Sequence, residues 1–225
     1  MSETLNTPLF GLMITVLAYV AARWLHSKFS WLHPLVAAPL AVLGVLGITQ
    51  LPYEDYAHGG DLVSFWLGPA TVALAVPLYK QLAALRSSLG AILLGVLAGS
   101  LVGMAVAWAL VVLLGGTQDV LLTMLTKSVT TPIMVELLKS LGSDPGLGAV
   151  LTVLTGLFGS VVGPGVLRLC GIRDEVAQGV AIGTAAHGIG TARVVLESEL
   201  QGSASGFAMG LTGIAVSLLV IPLQV

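Results

Sequence analysis

The sequence predicts an all-α polytopic membrane protein: about eight hydrophobic segments in a single domain over residues 1–225, some of them discontinuous or re-entrant. Three observations carry that expectation. The 225 residues are 56% hydrophobic and only 9% charged, with a mean hydropathy of +0.99, whereas soluble proteins carry about 25% charged residues. Several uncharged runs reach the ~20 helical residues needed to cross a hydrocarbon core of about 30 Å. Finally, some of those runs are interrupted by proline, glycine and ionisable residues, which at membrane depth face a cavity or a partner and mark a pathway.

The first segment runs from about Thr7 to Trp24, opening with Asn6-Thr7-Pro8, where a proline costs a helix little. Met1 to Asn6 lacks a basic leader region, and Arg23 and Lys28 follow the run, so it reads as a mature span ending on the cytoplasmic side. Trp24, His26, Lys28 and Trp31 form an interfacial belt. The second segment covers about Pro34 to Leu51, with Pro34 and Pro39 in its first turns. Tyr53 to Asp61 is acidic and aromatic and suits the opposite interface. In the third segment, Phe65 to Lys80, Pro69 and Pro77 predict a kinked or discontinuous helix, closed by Lys80 and Arg86. The fourth, roughly Leu89 to Leu114, carries Gly95, Gly99 and Gly103 at four-residue spacing, a small-residue stripe for close helix packing. A sixth span runs from about Leu147 to Leu167, and an eighth from Ala204 to Leu223.

The fifth and seventh segments carry the chemistry. The fifth, about Val120 to Leu141, contains Lys127-Ser128-Val129-Thr130-Thr131-Pro132, then Glu136 and Lys139. An intramembrane lysine or acid costs ~2.5–3.5 kcal/mol near a helix centre. On a straight helix Lys127 and Glu136 lie nine residues apart, about 180° round the axis, so Pro132 is the expected break that re-aims them. The alternative is that Lys127 snorkels to an interface and Glu136 pairs with Lys139. The seventh segment ends in Gly183-Thr184-Ala185-Ala186-His187-Gly188-Ile189-Gly190-Thr191. Half-helix N-termini offer free N–H groups and partial positive charge, so two converging breaks make an anion site. The expected binding residues are Lys127, Ser128, Thr130, Thr131, His187, Gly188, Gly190, Thr191 and, from the third segment, Thr71. His187, with an ordinary pKa of ~6.5, and Glu136 are the proton-coupling candidates; a packing role for His187 stands beside that.

Topology points the same way. Eight full spans would place Arg168 and Arg173 outside, against the positive-inside rule, and one re-entrant segment, the third or the fifth, restores agreement. An inverted repeat is suggested by Thr7-Pro8-Leu9-Phe10 against Thr131-Pro132-Ile133-Met134, and by Gly68-Pro69-Ala70-Thr71 against Gly183-Thr184-Ala185-Ala186. A competing alignment sets Thr71 and Lys80 against Thr130 and Lys139.

Other classes do poorly. A net charge of −2 and no basic face exclude nucleic acid as a partner. The lone Cys170 permits no intrachain disulfide and reads as a small buried side chain at a helix end. There is no metal-ligand spacing, phosphate loop or paired-aspartate motif, so neither metal, cofactor nor enzyme activity is expected.

Taken together, Gly68 to Lys80, Lys127 to Ile133 and His187 to Ala192 resemble the LrgB/CidB family over nearly the whole chain. That resemblance implies an antiholin-like or holin-associated protein of the cytoplasmic (inner) membrane that influences murein hydrolase activity and lysis beside a small LrgA/CidA-like membrane partner. It also implies transport of small monocarboxylates. A chloroplast member that fuses both parts exchanges glycolate for glycerate, and bacterial members are linked to pyruvate. Two departures stand out: Thr126 occupies the position where the family commonly has proline, and Glu136 stands where a small or apolar residue is expected. Glycine-faced spans further suggest a homodimer.

Overall fold

A computed structural model describes residues 8–29, 32, 34–66, 69, 72, 73 and 75–223. Those residues form helices and no strand, as the composition predicts. The chain divides into two compact units, residues 1–73 and 74–225.

In the first unit α1 (Pro8–Lys28) packs against both α2 (Pro34–Thr49) and α3 (Tyr53–Phe65). Ile14, Ala18 and Val42 are its buried centre, with Phe10, Leu46 and Tyr56 packed around them. Gly11 and Gly59 let α1 and α3 meet backbone to backbone, since a Cβ on Gly11 would lie 2.9 Å from the Gly59 Cα. Beside that crossing the Thr15 hydroxyl lies 3.0 Å from the Tyr56 hydroxyl. The acidic Tyr53 to Asp61 stretch is thus helical and ties back onto α1. At the end of α1, Lys28 Nζ stands 3.9 Å over the Trp24 ring, within the expected aromatic belt; Trp31 lies outside the described residues.

The second unit contains α4 (Ala75–Lys80), α5 (Leu82–Ser87), α6 (Leu89–Leu113), α7 (Gln118–Thr126), α8 (Thr131–Ser140), α9 (Pro145–Leu169), α10 (Glu175–Val194) and α11 (Glu199–Val220), followed by a 3-10 turn at Ile221–Leu223. Its helix ends follow from local chemistry. Asp144 and Asp174 cap α9 and α10, accepting from Gly146 N at 2.8 Å and Ala177 N at 2.7 Å, which satisfies orphan N–H groups. Gly142 and Gly171, at φ 68° and 74°, stop α8 and α9. In each case the following residue bonds back, Ser143 N to Leu138 O at 2.9 Å and Ile172 N to Leu167 O at 3.0 Å, closing the turn as a left-handed glycine allows. Cys170 sits in the second of these turns and is exposed, contrary to the buried side chain expected; the last turn of α9 projects past its packing partners there, Leu169 being 90% exposed as well.

Among the described residues four helices, α1, α6, α9 and α11, are long and apolar enough to cross a membrane. The fifth predicted segment is instead two short helices of 9 and 10 residues, about 14–15 Å each at 1.5 Å per residue, with helix lost from Lys127 to Thr130. Pro132 lies in the first turn of α8, beyond the break rather than at it, because a proline there forfeits no helical hydrogen bond. Pro77 is the third residue of α4, and the neighbours of Pro69 at 68, 70 and 71 lie outside the described residues, Thr71 among them. α10 is the centre of this unit, touching α11, α9 and α6. Its small residues permit that: a Cβ at Gly179 would come 2.8 Å from the Ala204 Cβ, and one at Gly183 2.9 Å from the Ser205 Cα.

Candidate functional site

The first break is a four-residue interval between α7 and α8. Thr126 bonds its hydroxyl to Leu122 O and Thr123 O, both at 3.1 Å, and Val129 N reaches back to Thr126 O at 3.2 Å. Val129 is fully buried among Met134, Leu138 and Val216, which anchors the unwound chain. With Val129 turned inward, Lys127 and Ser128 line a cavity of about 520 Å³ bounded by α6 and α10. Lys127 Nζ lies 3.4 Å from the Ser128 hydroxyl. Of the ion pairs among the described residues, Lys80 with Glu199, Lys139 with Glu136 and Arg193 with Glu197, none uses Lys127.

The opposite wall is α10, through Val180, Ala181, Thr184 and Ala185. Thr184 is 7% exposed, and its Oγ1 has no hydrogen-bond partner among the described residues. A helical threonine can bond back to the carbonyl four residues earlier, as Thr15, Thr155 and Thr191 do here at 2.8 Å; Thr184 does not, and neither do the buried Thr123, Thr152 and Thr212, of which none lines this cavity. A second cavity of about 600 Å³, mostly apolar, lies between α7, α9 and α10 and shares Lys127, Ala181 and Ala185 with the first.

The second break is in α10 at His187, whose φ of 41° and ψ of −138° are non-helical. A residue held there costs about 1–3 kcal/mol of backbone strain. What holds it is visible. The ring is 3% exposed and sits 2.9 Å through Nε2 from the Thr152 carbonyl of α9, so Nε2 carries the donated proton. Gly156 makes room, since a Cβ there would lie 2.6 Å from His187 Cε1. One turn on, the Thr191 hydroxyl donates to the His187 carbonyl at 2.8 Å and meets the Ser205 hydroxyl of α11 at 2.8 Å.

The structure therefore brings Lys127 and Ser128 together with Thr184 and Ala185, from the two stretches expected to meet. Thr71 lies outside the described residues, and the other expected residues do not line that cavity. His187 and Thr191 are turned into the packing with α9 and α11, and a Cβ on Gly190 would lie 2.6 Å from the Ala186 Cβ, which marks it as the residue that lets the kinked helix fold past itself. Gly188 lines no part of the cavity either. Thr130 caps α8 with its backbone, accepting from Met134 N at 3.0 Å, and Thr131 opens that helix. Glu136 is exposed and bonded to Lys139 at 3.0 Å. Sequence reasoning missed Thr184 as a wall residue, and it read Gly95, Gly99 and Gly103 as packing alone although all three line the cavity. Their four-residue spacing was the available signal.

Chemically, a partly buried ammonium without an ion-pair partner among the described residues, beside the Ser128 hydroxyl and at the edge of a cavity, suits an anion. Comparison with known proteins fits a shared architecture. The sequence matches the LrgB-like family over residues 15–225. The chain belongs to the LrgB-like family. The uncharacterized protein YwbG of Bacillus subtilis is 36% identical over 206 residues, 91% of this chain and 92% of that relative. An uncharacterized Haemophilus influenzae protein is 34% identical over 211 residues, 94% and 89% of the two chains. The antiholin-like protein LrgB of Bacillus mycoides is 30% identical over 220 residues, 96% and 95% of the two. No solved structure matches. With four membrane-length apolar helices among its described residues, this LrgB-family chain is a membrane protein.

Proposed function

We propose that this LrgB-family protein carries small monocarboxylates, of the glycolate, glycerate or pyruvate class, across the cytoplasmic membrane, and that Lys127 and Ser128 hold the carboxylate. The observation that carries this reading is Lys127, lining a 520 Å³ cavity with no acidic partner among the described residues. Ligand pockets of about 300–1,000 Å³ with a few convergent polar groups are the usual form of a small-molecule site. In this reading the N-terminus of α8 at Thr130 and Thr131, directly after Lys127 and Ser128 in the chain, lends partial positive charge from outside the cavity, while Gly188, Gly190 and Thr191 lie away from it and do not touch the anion. His187 is the coupling group in this reading. Its neutral ring donates to the Thr152 carbonyl, and a proton added on Nδ1 would place a charge in the α9–α10 contact and bias the kink. The eight-segment arrangement, the inverted repeat and a homodimer belong to the same proposal. The test is uptake of labelled glycolate, glycerate and pyruvate by the purified protein in liposomes, with and without a pH gradient; no uptake of any of them would end the carrier reading.

A second reading is favoured by the names of the relatives, several of which are antiholin-like LrgB proteins at 30% identity. Here the chain regulates murein hydrolase activity and lysis through a small LrgA/CidA-like membrane partner. Expression of a transport-dead variant separates the two: a lysis phenotype that survives in it belongs to regulation, and one that vanishes belongs to transport.

A further inference from the structure

The cavity at Lys127 is long, and its length runs along the α6 glycine stripe. A Cβ on Gly95 would come within 3.5 Å of Val180 Cγ1, and one on Gly99 within 3.2 Å of Thr184 Cγ2. Equal four-residue steps on both helices mean that α6 and α10 run parallel along this wall. The cavity begins at their N-terminal ends, at Ser88 and Asp174, and reaches Gly103 on α6, fifteen residues or about 22 Å away. Lys127 stands at the inner end. After the turn at Gly115, φ 68°, α7 packs back against α6, and the nine residues from Gln118 to Lys127 return the chain about 14 Å, level with Gly103. A Cβ on Gly103 would meet no heavy atom within 4 Å, so the space beside it is open. One turn further on the same face Ala107 is 1% exposed, and the opening stops there. Independently of the stripe, Thr184 lines this cavity at 7% exposure, and its hydroxyl has no hydrogen-bond partner among the described residues.

From this geometry we infer that the Gly95–Gly99–Gly103 face of α6 is a water-accessible access lane, closed at Ala107, and that Gly103 with Thr184 sets the size limit for the anion held at Lys127. The inference deepens the carrier reading and rests on it for the identity of the ligand, a short carboxylate. Glycine is required for width, not for backbone freedom: none of the three has a positive φ. Opposite Gly99 it is the Thr184 methyl that bounds the lane, 3.2 Å from where a Cβ on Gly99 would stand.

The chain has one cysteine, so Cys170→Ser gives a background for thiol labelling of the full-length protein in membranes. Gly95→Cys, Gly103→Cys and Ala107→Cys are added singly and treated with a membrane-impermeant anionic thiosulfonate, read by mass. The lane predicts modification at Gly95→Cys and Gly103→Cys and a rate at Ala107→Cys lower by about 10-fold or more, as burial protects a site. Added pyruvate and the Lys127→Met change should each slow modification at Gly103→Cys, by blocking the end of the lane and by removing its attraction for the reagent. Equal labelling at Gly103→Cys and Ala107→Cys, or none at either, overturns the lane. For the size limit, Gly103→Val should depress glycerate uptake about 10-fold more than glycolate uptake, the scale of discrimination that a small apolar increment gives; an unchanged ratio overturns it. If the unaltered protein moves no acid, the carrier reading fails, yet the labelling pattern still decides whether the lane exists.

Discussion

The two breaks in the second unit look alike as sequence and differ as structure. Lys127-Ser128-Val129-Thr130 and Ala186-His187-Gly188 are both polar, glycine- or proline-flanked interruptions of apolar segments. At the first, the buried side chain is an apolar one, Val129, and the two polar residues before it, Lys127 and Ser128, are left facing a cavity. At the second, the polar groups are consumed within the protein: the His187 ring by the Thr152 carbonyl, and the Thr191 hydroxyl by Ser205 and the His187 carbonyl. A polar residue at membrane depth is thus not a site by itself. What decides its role is whether a neighbouring helix already satisfies it. In the carrier reading the first break binds and the second moves.

Removing the charge at the first break should have the largest effect. Lys127→Met keeps the stem and deletes the ammonium, and a hydrogen bond to a charged group is worth about 1.5–3 kcal/mol, roughly 10- to 100-fold in uptake at sub-saturating substrate. Thermal stability should hold or rise, because an uncompensated cation leaves the interior. Uptake unchanged in this variant would move the site away from the first break and dissolve the contrast. Next in size is the coupling expected of the second break. His187→Gln retains an N–H for the Thr152 carbonyl and cannot titrate. If His187 loads the proton, wild-type uptake rises as the outer pH falls, and the variant keeps its uptake at the optimum while that slope flattens. A slope that persists in His187→Gln would leave the second break with packing alone.

How much of this was legible follows from which interactions are local. The bounds of α6 and α9, Leu89–Leu113 and Pro145–Leu169, could be read to within about two residues because uncharged apolar runs of membrane length set them. The break near Lys127 was legible too, since a lysine and a threonine pair ahead of Pro132 cannot all sit on one lipid-facing helix. That the break falls before Pro132, not at it, depends on proline's fit to a first helical turn. The orientation of His187 was not legible at all. It depends on Gly156 and Thr152, more than thirty residues away on α9, and nothing in the local pattern separates a ring that lines a cavity from one that fills a notch. Thr184 escaped for a similar reason: what sets it apart from the other buried threonines is the cavity it lines, which α6 on the far side creates.

Smaller effects sharpen the same contrast. Thr191→Val should remove the α10–α11 hydroxyl pair and cost about 1 kcal/mol or less, because interhelical hydrogen bonds in membranes average about 0.6 and reach about 1.7 kcal/mol in mutant cycles. The coupling should appear in a cycle with Ser205→Ala, read by unfolding of the purified protein, with the substrate KM unmoved. A shift in KM larger than the shift in stability would mean that the second break touches the ligand after all.

The smallest effect is expected at Glu136, and it bounds the first break on its far side. Its carboxylate is 74% exposed and pairs with Lys139 at 3.0 Å, one turn along α8. Such i,i+3 pairs contribute only ~0.2–0.5 kcal/mol in helices and less where water screens them. Glu136→Gln should therefore lower stability by no more than a few tenths of a kcal/mol and leave both uptake and its pH profile as in the wild type. Were uptake to collapse, the polar surface begun at Lys127 would have to continue past Thr130 onto α8, and the cavity side of the break would be broader than Lys127, Ser128 and Thr184. Were only the pH profile to change, proton loading would belong to the exposed carboxylate and not to the buried ring, reversing the division of labour between the two breaks.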